Sequence, residues 1–151
     1  MTKAELIEIF FTGRALKFLP ADPDVSLSPG VIVRRALVEV LDKVLPDDCE
    51  IHDGIECSRT SWLLVLDTDL VAISTDLNGK AVKIVVAFSA ASDLAPITEW
   101  HYQAGADQQV YLSELHVKGL PFPVASSREL LPVGRLIRFF HAVLAAQRRS
   151  G

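Results

Sequence analysis

Apolar residues recur at helical spacing from the start of the chain. Thr2 followed by Glu5 has the form of a capping box, in which each side chain satisfies a backbone N–H that the first helical turn leaves free. Leu6, Ile9, Phe10 and Leu16 then share a helical face until Pro20 breaks the pattern, which predicts a first helix over residues 3–18. Residues 21–27, with two aspartates and Pro23, read as a loop. Ser28 and Pro29 open a second helix as N-cap and first-turn proline. Its inward stripe is Val33, Leu37, Val40, Leu41 and Val44, with Arg34, Arg35, Glu39, Asp42 and Lys43 opposite, and it ends before Pro46.

From residue 50 the period shortens to that of a strand. Ile51, Ile55 and Cys57 alternate with polar neighbours, and residues 62–66, 70–75 and 81–88 are rich in β-branched side chains. Asn78-Gly79 is the strongest turn signal, because both residues tolerate the positive φ of a type I′ hairpin. Three further strands are predicted at 98–104, 109–117 and 121–126, which makes seven. Ser127 caps a final helix with Val133, Leu136, Ile137, Phe140 and Leu144 on one face, and Arg148 and Arg149 at its negative end. Short strands separated by turns favour an antiparallel barrel or sandwich over a parallel sheet, which needs a helix between strands. The predicted class is α+β, mainly β: residues 1–48 form a helical segment packed on residues 49–151, whose strands close into a wall that the last helix caps.

Phe139 widens the apolar arc of the last helix, as Ile7 and Phe11 widen that of the first. An arc broader than one core-facing stripe has a second surface to cover. Phe10, Phe11, Phe139 and Phe140 are therefore the candidate contact residues for a second copy or a protein partner.

Composition narrows the classes. Of 151 residues 50% are apolar and 23% charged, with a net charge of −4, which excludes a disordered tail and matches one domain with its own core. An acidic balance disfavours nucleic acid and anionic membrane as partners. Asp42, Asp47, Asp48, Glu50, Asp53 and Glu56 crowd one stretch, and Arg128, Arg135, Arg138, Arg148 and Arg149 another; they are either two solvated faces or surfaces that meet between protomers. Glu5 and Glu8 interrupt the N-terminal apolar run, and no charge-free stretch reaches the ~18 residues that cross a bilayer, so a cytoplasmic location is expected. Cys49 and Cys57 cannot bridge if they lie on one strand, about 26 Å apart, or if Asp53-Gly54 turns a hairpin that sets them on opposite faces. The same geometry weakens Cys49, His52 and Cys57 as metal ligands.

Three segments carry a family resemblance: Val44 to Glu50 (VLPDDCE), Trp62 to Ser74 (WLLVLDTDLVAIS) and Asp93 to Thr98 (DLAPIT). A helix ending in Leu, an acidic linker, an apolar strand, a Thr-Asp turn and a second strand beginning with Leu resemble the bacterial pleckstrin-homology-like domains. These are small β-barrels closed at one end by a C-terminal helix, and the resemblance spans about residues 44–147. It implies a PH-like fold. Asp69 stands where that family usually carries Arg or Lys, and Arg59 is alone where lipid-binding members of the wider superfamily cluster several cations, so lipid headgroup binding is not expected. Arg59 with Lys83 for a single phosphate is the weaker alternative.

Enzymatic fingerprints are absent from the sequence: there is no Gly-rich phosphate loop, no H-E-x-x-H and no G-x-S-x-G. Glu99 and His101 lie two apart on one predicted strand, and Glu114 and His116 repeat the spacing on the next. A carboxylate orienting an imidazole is the beginning of a general base. The competing account is a polar outer face opposite a core face of Trp100, Tyr102, Tyr111, Leu115 and Val117. The expected function is a non-enzymatic interaction module that self-associates or docks a protein partner, with no cofactor and no metal. The alternative is a small-ligand or catalytic domain with Glu99, His101, Glu114 and His116 around one pocket.

Overall fold

The computed structural model describes residues 1–12, 29–58, 60–94, 99–125 and 133–150. Helices α1 (Lys3–Thr12) and α2 (Pro29–Val44) precede β1 (Asp53–Ser58), β2 (Ser61–Val65), β3 (Asp69–Asn78) and β4 (Ala81–Ala90). A 3-10 turn (Ala91–Asp93) leads to β5 (Glu99–Ala104), β6 (Val110–His116), β7 (Val124–Ala125) and α3 (Val133–Ser150). All pairings are antiparallel, in a four-stranded sheet ordered β1-β2-β3-β4 and a three-stranded sheet ordered β5-β6-β7. Four strands, three strands and a terminal helix make an α+β, mainly β arrangement.

The expected closed wall is not formed. β4 runs into the 3-10 turn, so β5 starts a separate sheet, and β7 is two residues long. β1 and β7 approach each other, but among the described residues no ladder joins them. The result is a two-sheet sandwich.

The start of α1 forms as its sequence dictates: Thr2 N–H donates to Glu5 Oε2 at 2.8 Å and Glu5 N–H to Thr2 Oγ1 at 3.2 Å. Helix residues 13–18 of the predicted span, and the Ser28 and Ser127 caps, lie outside the described residues. Lys3 then performs a task that its position in the sequence does not reveal. Its Nζ donates to the carbonyls of Asp42 (3.1 Å) and Leu45 (3.4 Å), the last turn of α2, and pairs with Asp47 at 2.5 Å. A cation there satisfies carbonyls that have no helical partner and offsets the negative end of the helix. The pair holds the Asp47 carboxyl below its usual range and the Lys3 ammonium above its own, in both cases chiefly through their hydrogen bond.

Leu6, Leu37, Leu41 and Leu45 of the helical segment join Leu63, Val71 and Phe139 in one buried cluster, so helices and sheets share a core. Every residue of β2 is buried, which means that both faces of this strand are covered. On α3 the inward stripe is Phe139, Val143 and Ala146, at 2%, 7% and 0% exposure. This corrects the expected stripe by one residue: Phe139 is core, not contact surface, while Ile137 is exposed and Phe140 half-buried. Gln147 and Arg149 fasten the helix. Gln147 Nε2 donates to Ala91 O (3.0 Å), and Arg149 Nε to Asp67 O (2.6 Å).

One of the alternatives open at Asp53-Gly54 does not occur, and the Asn78-Gly79 turn shifts by one residue. Asp53-Gly54 opens β1 rather than turning a hairpin, and no disulfide joins Cys49 and Cys57. In the β3–β4 hairpin Asn78 pairs with Ala81, so the loop is Gly79-Lys80. Gly79 alone takes positive φ, at 62°, which suits a turn with glycine at its first central position.

Candidate functional site

Leu112 and Leu115 are three apart on β6, a spacing that puts side chains on opposite faces of a regular strand, yet both are buried, at 0% and 1% exposure. A bulge resolves the conflict. His101 pairs with Glu114 and the next residue, Tyr102, with Leu112, so Ser113 is the extra residue, and its hydroxyl donates to His101 O at 2.9 Å. Both leucines thereby face the core. On the other face the register sets Glu99 opposite His116 and His101 opposite Glu114.

All four of the sequence-derived pocket candidates therefore meet on one side of the β5–β6 ladder. Glu99 Oε1 and His101 Nε2 are 2.6 Å apart, Glu114 Oε2 and His116 Nε2 are 2.8 Å apart, and the two imidazoles stack at 4.4 Å and 24°. His101's hydrogen bond, followed by the charge of His116, holds the Glu99 carboxyl below its usual range against a smaller opposing effect of burial. The quartet is open to solvent: the side chains of Glu99 and His101 are 60% and 43% exposed. His116 also lines a shallow cavity beside Pro121 and Phe122. The geometry offers two imidazole nitrogens and a carboxylate within reach of one another on a solvent-open face.

The cavity between sheet and helix is elsewhere and apolar. It measures about 230 Å³ and is bounded by Leu70, Leu115, Val124, Phe139, Phe140 and Val143.

Trp100 and Tyr102 depart from their expected place in the core. They are 42% and 55% exposed, because β5 overhangs the core at the edge of its sheet and all six of its residues are exposed. Trp100 meets Phe140 edge to face at 6.4 Å. Tyr111 is half-buried and its hydroxyl donates to Asp107 in the β5–β6 loop, which keeps the Asp107 carboxyl below its usual range. Of the contact candidates, Phe140 thus joins an exposed aromatic group, Phe139 does not, and the side chains of Phe10 and Phe11 lie outside the described residues.

The remaining candidates are dispersed. His52 pairs with Asp67 at 2.6 Å, and among the described residues it forms no metal-type cluster with Cys49 and Cys57. Part of the acidic stretch finds its counter-charge within the chain, through Lys3 with Asp42 and Asp47, and Arg149 is tied to Asp67 O. Arg59, Arg128 and the side chain of Arg135 lie outside the described residues, while Lys83 is exposed on β4. No described helix is long and apolar enough to cross a membrane.

No protein-family model matches the sequence, and no curated protein matches it. Among solved structures, the chain is similar to a DUF1696 family protein with a pleckstrin-homology domain from Shewanella loihica PV-4, at 13% identity and a TM-score of 0.41, over 75% of this chain and 92% of that one.

Proposed function

We propose that the protein is a non-enzymatic interaction module of the PH-like type and that it self-associates through the outer edge of β5. The observation that carries this reading is a strand exposed along its whole length that bears two exposed aromatic residues at a sheet edge. An edge strand presents unpaired N–H and C=O groups that template another strand. The sequence Glu99–Ala104 suits a second copy. Antiparallel pairing centred on His101 sets Trp100 and Tyr102 of two copies opposite each other, and aromatic cross-strand pairs are favourable. Two-fold symmetry makes both halves of such an interface equivalent. Burying the exposed ring surface contributes about 25 cal/mol per Å². The openness of the Glu/His quartet supports the non-enzymatic side of the reading, since general-base chemistry works in a water-excluding cleft.

Sedimentation velocity at tens of micromolar tests this. A dimer that becomes monomeric in Trp100→Lys and Tyr102→Lys, with unchanged circular dichroism, is the expected result; a monomer at every concentration would contradict self-association.

The apolar cavity under α3 favours a second reading, in which a small apolar ligand binds there. A dry cavity of roughly 150 Å³ suffices for benzene, and this one is larger. A native-state ligand raises the melting temperature with its concentration; saturation with benzene is expected to do so, and an unmoved transition removes this reading.

A further inference from the structure

We propose that Glu99, His101 and His116 form a binding site for a divalent transition-metal ion of the Zn²⁺ class on the outer face of the β5–β6 ladder. One donor atom from each of the three lies within 4.8 Å of the other two. Two imidazole nitrogens and one carboxylate oxygen form a donor set that suits Zn²⁺, which binds such atoms at about 2.0–2.2 Å. Tetrahedral ligands at that bond length are roughly 3.3 Å apart. Glu99 Oε1 and His101 Nε2, 2.6 Å apart, need to open by less than about an ångström and the third donor to close by no more than about an ångström and a half, movements within reach of exposed side chains.

The backbone beneath them is already in place. The Glu99↔His116 and His101↔Glu114 pairs belong to one antiparallel ladder, and the Ser113 bulge fixes its register. The ion takes the place of the hydrogen bond between Glu99 Oε1 and His101 Nε2, and any proton held there is released to water. Glu114 has a different part. Its carboxylate holds His116 Nε2 at 2.8 Å, and a carboxylate bonded to one nitrogen of a histidine fixes the ring and raises the basicity of the other. Glu114 is thus a positioning residue. Its charge and that of Glu99 also offset the two positive charges of the ion. Three protein ligands leave a fourth position for water or an outside donor.

The site is independent of the β5 edge reading, because it uses the opposite set of side chains from Trp100 and Tyr102. The test is titration of tag-free, chelator-stripped protein with Zn²⁺ against a chromophoric chelator, with Co²⁺ absorption reporting the ligand field. Saturation near one ion per chain is expected, weakened at least about ten-fold in His101→Ala and in His116→Ala and also in Glu114→Gln. His141→Ala, on the exposed face of α3, is expected to bind as the parent does. Circular dichroism verifies that each variant is folded. Absence of saturable binding, or undiminished binding in His101→Ala and His116→Ala, overturns the proposal; undiminished binding in Glu114→Gln overturns the role given to Glu114.

Discussion

The four-stranded and three-stranded sheets treat their strands in opposite ways. In the first, β2 (SWLLV) is buried throughout, clamped between neighbouring strands and covered on both faces. In the second, β5 (EWHYQA) has one neighbouring strand among the described residues and no buried residue. β2 sits inside the core, to which Leu112, Leu115 and Val124 of the second sheet also contribute, whereas β5 places an edge and a polar face in solvent. Side chains of similar size therefore carry unlike energies: Trp62 is 2% exposed and Trp100 is 42% exposed.

Core substitutions break this comparison hardest. Phe139→Glu buries an unpaired charge and is expected to abolish the folded state, and Leu64→Ala is expected to cost about 2–5 kcal/mol in urea denaturation. Trp100→Ala on the second sheet is expected to cost about 1 kcal/mol or less. Equal costs for Leu64→Ala and Trp100→Ala would remove the distinction between the sheets.

The hairpin loops sharpen the contrast. Gly79 holds φ +62° with open space around it, so Gly79→Ala is opposed by backbone strain alone and is expected to lower stability by about 1–2 kcal/mol. Gln108, in the loop before β6, holds φ +61° without being glycine. Gln108→Gly relieves that strain at the cost of extra freedom in the unfolded chain, so a change below about 1 kcal/mol is expected.

The smallest expected effect concerns acid. The folded Asp47 carboxyl titrates below its usual range, so its bond to Lys3 contributes stability above the unfolded carboxylate pKa and loses it as pH falls through the lower folded value. The raised Lys3 pKa has the mirror sense: its contribution is complete below the unfolded lysine value and is lost as pH rises through the folded one. Asp47→Asn is expected to flatten the acid limb of a stability–pH profile and leave the neutral plateau lower. A profile identical to the parent's would show the pair to be inert.

Much of the fold was legible because period and capping are local. The Thr2–Glu5 box, the Pro29 start of α2 and the seven strands needed nothing beyond neighbouring residues. The quartet was legible for the same reason, since i, i+2 spacing on a strand fixes a shared face. What depended on distant partners was not. The Leu112/Leu115 spacing of three is a visible sign of the bulge, which strict alternation passes over. Phe139 and Phe140 are adjacent on α3, and which of them turns inward depends on the sheet surface that the helix meets. Alternation likewise placed Trp100 and Tyr102 opposite the polar face without revealing that the core ends before β5. Lys3 reaches the end of α2 only because α1 folds back on it.

Amide hydrogen exchange on β5 at two protein concentrations tests the role of this strand most directly. Self-association predicts that alternate amides of residues 99–104 slow as concentration rises, while β2 amides stay slow at both. Exchange in β5 that is fast and independent of concentration would contradict it.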